Sequence, residues 1–580
     1  MAIVGIDLGT TNSLVAYWKK DKVCLVPDSL GNTLFPSVVS FMEGNRVCVG
    51  RMSKEQLEER PEWTFASFKR NMGTNYAYMT PIRPYTAMEL SAYVLSELKT
   101  VAENYLQEEI EEAIISVPAY FNDKQRSDTK KAAQIAGLKV ERLINEPSAA
   151  ALYYQLNCEE KDKNIIVFDF GGGTLDLSYV ECFDNVIEIV AVAGDNKLGG
   201  DDIDKAILDY ICRQKGIVAD ELPKKDLAIL KAEIEEKKKN ICENSEIEIA
   251  GVIVSEQTLF KVCIPLFEKI KKLFLHLLQD AEISIADIDD LIMVGGSSKL
   301  QVVKRFLQEL LGKEPVVLGE TDKVVAMGLG AYAGIRERNE VIRDYVMTDV
   351  CPYTLGVESY SSAKAEKGHM TPMIERNSTL PCKKVGRFWT LHNQQTVITM
   401  QIYQGEKYFA KENLKLGEVT IEVERKPAGE EWVDVSFTYD INGILCVSVT
   451  NSKKDTKQII LANQVLSEEE KIKYQDEMNK TLRELSPWEQ EENLKMLEIV
   501  KDYYEESVGD RRQQLGNILE WYVTSLNTGR MKTIHTTIEK MKKIVDMLQA
   551  NEELLEDELF NGELKVKKVL NEEIEEEIDE

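Results

Sequence analysis

The sequence predicts a multidomain protein: an α/β domain of two lobes, then an antiparallel β-sandwich, then a helical C-terminal region. Three observations predict this. Up to about residue 340, short apolar runs (2–7, 113–117, 165–169, 186–192, 291–294) alternate with amphipathic stretches such as 123–136, 201–215 and 222–242. From about Asp349 to Asn463 the apolar period becomes two, and beyond Ser467 it is helical. Finally, Ile3-Val4-Gly5-Ile6-Asp7-Leu8-Gly9-Thr10-Thr11-Asn12 is echoed by Ile165-Ile166-Val167-Phe168-Asp169-Phe170-Gly171-Gly172-Gly173-Thr174. Each copy reads as a buried strand, an Asp at its end and a tight Gly/Thr turn. Two copies of one substructure imply a pseudo-symmetric domain whose halves face each other across a cleft.

In the second region Val433, Val435, Phe437, Tyr439 and Ile441 alternate with mostly polar neighbours, Asn442-Gly443 predicts a hairpin turn, and Leu445, Val447 and Val449 resume the alternation. Val419, Ile421 and Val423, followed by Lys426-Pro427-Ala428-Gly429, predict a further hairpin arm. In the third region Ser467 with Glu470 and Ser486 with Glu489 form S-x-x-E capping boxes, with Pro487 at a first helical position. Leu494, Leu497, Lys501 and Tyr504 mark the face of one long helix; Gly509-Asp510 and Asn527-Thr528-Gly529 are breaks between helices. Residues 571–580 hold seven acids and read as a solvated tail.

At 580 residues, the chain has room for roughly four domains of about 150 residues each. It carries 99 acids against 71 bases, a net charge of -28, which opposes nucleic acid or an anionic membrane as the main partner. No apolar stretch approaches the ~18 residues needed to span a bilayer, and the first residues lack a basic, cleavable leader pattern. The 10 cysteines are scattered without a CxxC, and the 4 histidines lie far apart, so reduced and mostly buried thiols are expected rather than disulfides or zinc.

A strand that ends in Asp and a Gly/Thr turn suits nucleotide phosphate. Glycine lets the backbone approach closely, its N–H groups converge on phosphate oxygens, and Thr hydroxyls add donors. An Asp before the turn can hold Mg²⁺ directly or through water. A single copy reads better as a capped hairpin; the second copy, with the same Asp spacing, favours a phosphate clamp with Asp7 and Asp169 flanking the metal. Leu291-Ile292-Met293-Val294-Gly295-Gly296-Ser297-Ser298-Lys299 adds a strand entering a Gly-Gly turn that can accept the flat face of a nucleoside.

These segments resemble the three signatures of the seventy-kilodalton heat-shock chaperone family (DnaK-like): residues 6–13, 169–176 (DFGGGTLD) and Val294-Gly295-Gly296. Residues 117–123 (VPAYFND), 144–150 (INEPSAA), 198–202 (LGGDD), Gln404-Gly405-Glu406 and 440–445 (DINGIL) resemble further family motifs, and the length resembles the short HscC-like branch. The resemblance implies an actin-like, ribonuclease H-like ATPase domain of two lobes at 1–343 and a linker at 344–349. A β-sandwich for extended peptides follows at 350–463, a helical lid at 464–570 and the acidic tail at 571–580.

The resemblance also assigns residues. Lys69 would bind the γ-phosphate and the attacking water, Glu146 would order metal waters, and Thr174 would lie near the attacked phosphorus. Asp7 and Asp169 would organise Mg²⁺ through water, with K⁺ a further candidate ion. Thr10, Thr11, Asn12, Gly171, Gly172, Gly173, Gly199 and Gly200 would surround the phosphates of ATP or ADP. Glu235, Lys238, Cys242, Gly295, Gly296, Ser298 and Lys299 would surround the nucleoside. Pro118 and Arg126 match a switch that relays nucleotide state; Arg142, Asn145 and Asp349 match the surface that meets a J-domain co-chaperone. Val357, Tyr360, Leu391 and Ile398 fall at the peptide channel, with Ile398 in its central pocket and Tyr360 and Leu391 arching over the peptide backbone.

Taken alone, Lys69 reads as a solvated lysine, Arg126 as an exposed first-turn residue and Ile398 as ordinary core; the family pattern reverses these readings. The sequence departs from that pattern at Lys299, where the family has an adenine-stacking arginine, and at Cys242, which replaces a serine and is expected to be buried and inert. Thr348 interrupts an apolar linker, and the segments 73–89 and around 244–259 are short, which leaves the need for an exchange factor open. The expectation is a monomeric cytoplasmic ATPase that binds and releases unfolded polypeptide with a J-domain partner, without nucleic acid or membrane. A regulator of one dedicated client is the alternative; a small-molecule kinase or an actin-like filament protein has no use for the C-terminal third.

Overall fold

The computed structural model describes residues 2–140, 142–160, 162–242, 245–360, 368–440, 444–461, 466–483, 490–506, 509–527 and 531–561. The expected turn at Asn442-Gly443, the capping box at Ser486 and Glu489 with Pro487, and the acidic tail lie outside these residues.

Two six-stranded sheets among the described residues form the first half of the chain and share one plan. In the first, Ile3–Asp7 pairs antiparallel with Asn12–Lys19, which pairs with Lys22–Leu25. On its other edge Ile3–Asp7 runs parallel to Glu112–Val117, which runs parallel to Leu143–Asn145. In the second, Lys163–Phe170 stands where Ile3–Asp7 does, with Leu175–Phe183 and Val186–Asp195 antiparallel on one side and Asp290–Val294 and Val316–Val317 parallel on the other. The sequence repeat is thus a repeat of topology, and it brings the two Gly/Thr turns to equivalent strand ends.

Each sheet ends in a helix, Glu146–Asn157 in one half and Val324–Arg336 in the other, and the two helices cross. The crossing is close because Gly328 has no side chain: a Cβ there would overlap the Ala149 carbonyl. Around it Ala150, Ala151, Leu152, Ile165, Val167, Ile292, Leu329 and Ala333 make a core shared by both halves. Separate cores fill the outer side of each lobe.

Residues Val346–Thr348 extend the second sheet, parallel to Val186–Glu188. Two four-stranded antiparallel sheets then pack face to face: His369–Ile374, Leu355–Ser359, Val397–Gln404 and Leu414–Glu422 against Cys382–Trp389, Trp432–Tyr439, Leu445–Asn451 and Thr456–Leu461. The expected arm at 426–429 is not a hairpin. Leu414–Glu422 pairs with Val397–Gln404, whereas Trp432–Tyr439 pairs with Cys382–Trp389 and Leu445–Asn451, so the turn carries the chain from one sheet to the other.

The helical region begins at the Ser467/Glu470 capping box, with helix Glu468–Asn479. That helix lies on the first lobe: Leu466 N–H donates to Gln134 Oε1 at 3.0 Å, Arg83 meets Glu477 at 3.0 Å, and Tyr93 and Thr481 hydroxyls are 2.9 Å apart. Leu482–Arg483 then adds a parallel strand to Arg46–Val47. Helices Glu491–Glu506, Gly509–Asn527 and Met531–Asn561 form a bundle whose core includes Met496, Leu497, Val500, Ile518, Tyr522 and Leu30 of the first lobe. The buried face of the first of these helices is Met496, Leu497 and Val500; Leu494 and Lys501, expected on that face, point outward.

Five cysteines are buried, four are half-buried, and among the described residues none is joined in a disulfide. Cys242 is exposed, against expectation: it follows the short turn Lys238–Asn240, where no layer covers it. Among the described residues no helix is long and apolar enough to cross a membrane.

Candidate functional site

The two lobes enclose a cleft of about 2360 Å³ whose floor is built from the repeated turns. Each turn is braced from behind. Ser37 donates through Oγ to the Gly9 carbonyl at 2.8 Å and through its amide to Thr11 O at 2.8 Å. The Gly171 and Gly172 carbonyls accept from the amides of Gly200 and Asp201 at 3.0 and 2.8 Å. The turns touch: a Cβ on Gly172 would overlap Thr11 Oγ1, so only glycine lets the two lobes close to this spacing.

Where the turns meet, four acids gather around one lysine. Lys69 leaves the short turn Phe68–Asn71, is only 4% exposed, passes 5.6 Å from the Phe121 ring, and donates to Glu146 Oε1 at 2.8 Å. Asp7 accepts from Ser116 Oγ at 2.8 Å, and Asp176 from the Tyr120 amide at 3.0 Å. Burial, with Glu146 next, pushes the Asp7 and Asp176 carboxyls each up to about 7. The same causes raise Asp169, with Asp176 and Asp7 adding to the repulsion. Lys69 opposes the shift of all three. Such a cluster holds more negative charge than its own cation balances and favours a bound divalent ion. Its carboxylates, only one of which is hydrogen-bonded to Lys69, are hard oxygen donors of the kind a hydrated Mg²⁺ takes. The sequence pattern does not single out Asp176. Its place inside DFGGGTLD gives no sign that strand pairing sets it opposite Asp169.

Asp7, Thr10, Thr11, Asn12, Lys69, Glu146, Asp169, Gly171, Gly172, Thr174 and Gly200 all line the cleft, as do Glu235, Lys238, Gly295, Gly296 and Lys299. Gly173, Gly199, Ser298 and Cys242 are not part of its lining. Gly173 packs on Thr10 and Arg70, and Gly199 on the Gly172 carbonyl. Ser298 Oγ donates to the Gly295 carbonyl at 2.6 Å, propping the Gly-Gly turn from beneath. Lys238, itself buried, pairs with Asp204 at 2.6 Å. Lys299 is tied to Asp322 at 2.8 Å and Lys54 bridges to Glu235 at 2.8 Å.

A second cluster adjoins the first through one peptide bond. Strand Leu143–Asn145 ends where helix Glu146–Asn157 begins, so Glu146 turns to Lys69 while Asn145 turns the other way. Asn145 Oδ1 accepts from Arg126 Nη2 at 2.7 Å, and its Nδ2 donates to Asp349 Oδ1 at 2.9 Å. Ser148 Oγ donates to the same oxygen at 2.7 Å, and Arg142 stands 3.9 Å from Asp349 Oδ2. Arg126 is no free first-turn residue: it also donates to the Ala119 and Phe121 carbonyls, bracing the segment after Pro118. The network ends at Asp349, just after the docked strand Val346–Thr348.

The β-sandwich touches the lobes directly. Arg376 makes a two-pronged pair with Asp280 through Nε and Nη2, both at 2.8 Å, and Asn377 donates to the same carboxylate at 2.9 Å. The Asp123 amide donates to Gln404 Oε1 at 3.0 Å, and Tyr439 OH donates to Asp123 Oδ1 at 3.3 Å. Val357 and Ile398 lie in the core between the sheets. Leu391 is half-buried, its amide donating to Gln395 Oε1 at 3.0 Å, and Tyr360 is half-buried too.

The model of the family described as Hsp70 protein matches residues 3–82 and 78–579. The chaperone protein DnaK of Thermotoga neapolitana is 38% identical over 513 residues, 83% of this chain and 85% of that protein. That of Thermosipho africanus is 34% identical over 581 residues, 93% of this chain and 95% of that protein. With the family's pattern matched from end to end and whole-length relatives at this identity, the chain belongs to the Hsp70 family.

Proposed function

We propose that the chain is an ATP-driven chaperone that binds and releases extended apolar segments of unfolded polypeptide. Residues 1–343 form an actin-like ATPase of two lobes, 344–349 the linker, 350–463 the peptide-binding sandwich, and 464–570 the lid. The observation that carries the reading is the pair Asn145 and Glu146: one holds the linker's Asp349, its neighbour holds Lys69. A change at the phosphates therefore reaches the linker through one rigid strand end.

Asp7 and Asp169 would hold Mg²⁺ through water, Glu146 would help to order that water, and Thr10, Thr11, Gly172 and Thr174 would contact phosphates. Bound Mg²⁺ would neutralise charge on the transferred phosphoryl group. Lys69, dry and pre-aimed, offers its ammonium where charge grows during attack by water, so positioning and electrostatics supply the acceleration. Arg142, Asn145 and Asp349 suit a J-domain partner, whose contact would disturb the same network. Ten cysteines with no disulfide among the described residues fit a reducing cytoplasm. ATP turnover measured with and without an apolar extended peptide and a J-domain protein tests the proposal; turnover indifferent to both rejects it.

Two further results are expected. The pairing of Lys299 with Asp322 leaves no planar guanidinium for a base to stack on. Lys299→Arg is expected to slow ADP release about two- to fivefold, as one cation–π contact would, measured by stopped-flow with a fluorescent ADP; an equal rate removes the link. Asp123, buried under Gln404 and Tyr439, has its carboxyl raised by burial to about 6 from an ordinary 3.8. Undocking the sandwich exposes it and restores the lower value. Between those values the docked form binds more protons, so docking is strongest at low pH and weakens as pH rises toward 6, by at most roughly a hundredfold. Interdomain energy transfer between pH 4.5 and 8 should follow this course, and Asp123→Asn should flatten it.

A further inference from the structure

The inner face of the β-sandwich carries a polar chain that the reading above leaves unused. Val357 belongs to the core on strand Leu355–Ser359, and side chains two apart on a strand share a face, so Ser359 stands beside it at the strand's end. Across the ladder, Ser359 is paired with His369, and Val357 with Thr371 and Ile402. Ser359 Oγ is hydrogen-bonded to His369 Nε2 at 3.1 Å and to Thr371 Oγ1. Ile398, Met400 and Ile402 occupy the same face of the neighbouring strand. All three polar residues are half-buried. Glu358 points to the opposite face, 8% exposed, packed against Gly368, with one carboxylate oxygen buried and unpartnered.

We propose that Ser359, His369 and Thr371 form a polar subsite of the peptide channel, beside the apolar side chains of Val357 and Ile398, and that it takes a neutral hydrogen-bonding side chain: an amide or a hydroxyl. This rests on the peptide-binding reading. Each hydroxyl both donates and accepts, and a neutral imidazole does one of each, so the chain can reverse direction as a unit and present either a donor or an acceptor. Amide and hydroxyl side chains match that versatility. An aliphatic side chain would cover the hydroxyls and the imidazole without replacing their water, which costs more than a hydrogen bond gains. A carboxylate or an ammonium would lose its water for three neutral groups that satisfy it only in part.

The test uses the full chain with ADP and fluorescent peptides with a central Leu, in which Asn, Leu, Asp or Lys is placed at each flanking position in turn. At one position Asn should bind about three- to tenfold tighter than Leu, Asp or Lys, the worth of one hydrogen bond. His369→Val should abolish that preference and let the all-apolar peptide bind more tightly, because the imidazole it would cover is gone; His369→Asn should retain part of the preference, and Ser359→Ala should lose it if the valine variant fails to fold. Equal binding of Asn and Leu at every position, or an unchanged preference in His369→Val and Ser359→Ala, overturns the subsite alone. Failure of every peptide to bind overturns the peptide-binding reading and the subsite with it.

Discussion

Replacing Lys69 by alanine is expected to slow single-turnover ATP hydrolysis by about 10²–10³, the cost of removing one pre-aimed charge stabiliser, while nucleotide affinity changes by less than about tenfold. The geometry separates the two effects. On the proposed reading, phosphate oxygens in the ground state are met by the paired turns, whose carbonyls accept from Ser37, Gly200 and Asp201. Lys69 comes from a different element, and its ammonium is fixed by Glu146 rather than by either turn. Lys69→Arg should not rescue: the side chain is 4% exposed and beside Phe121, and a planar guanidinium needs more room and a different donor geometry. The same substitution removes the cation that opposes ionisation of Asp7, Asp169 and Asp176, so these carboxyls should shift further upward in the nucleotide-free protein. Rapid-quench single-turnover measurements decide the matter, since a defect that appears only as a raised KM would make Lys69 a binding residue.

The repeated turn was the most legible feature of the sequence because everything it needs is local. A buried strand, an Asp at its end and small residues in a tight turn leave a pattern readable without knowing any partner, and both copies stand where that pattern puts them. The sandwich strands were legible for the same reason: alternation is a property of one strand. What the alternation cannot carry is the identity of the neighbouring strand, and so Lys426-Pro427-Ala428-Gly429 looked like a hairpin although it crosses between sheets. Asp176 went unmarked because its meaning lies in a cross-strand register with Asp169. Leu494 and Lys501 satisfied helical spacing, but the buried face of Glu491–Glu506 was chosen by Met496 and Val500 against the bundle and by Leu30 from the first lobe. The two-residue strand Leu482–Arg483 is too short to have any period, and only the open edge at Arg46–Val47 makes it a strand. In each of these cases the outcome depends on which element packs alongside, which a segment's own periodicity does not name.

Breaking the link between Asp280 and the sandwich is expected to uncouple the domains. Asp280 ends helix Glu256–Asp280, where a carboxylate meets the helix's own exposed carbonyls and is poorly placed. It is tolerated because Arg376 and Asn377 bring three hydrogen bonds from the sandwich, while Asn377 Oδ1 also accepts the Val192 amide at 3.1 Å. When the sandwich leaves, Asp280 loses all three bonds and keeps the unfavourable helix end, so the residue favours the docked form. Arg376 is about a third exposed and retains Glu406 at 3.3 Å, so solvent and that second partner reduce the pair's worth to about 1 kcal/mol. Asp280→Ala should therefore cut the ATP-induced weakening of peptide affinity by about fivefold or more, with peptide affinity in ADP unchanged because the sandwich itself is untouched. Asp280→Arg should do so more completely, since it sets two guanidinium groups against each other. Combining it with Arg376→Asp should restore part of the coupling by re-forming the pair in reverse. Peptide dissociation rates with ATP and with ADP give the coupling directly, and if all three variants respond to ATP as the parent does, the docked arrangement is not the state that ATP selects.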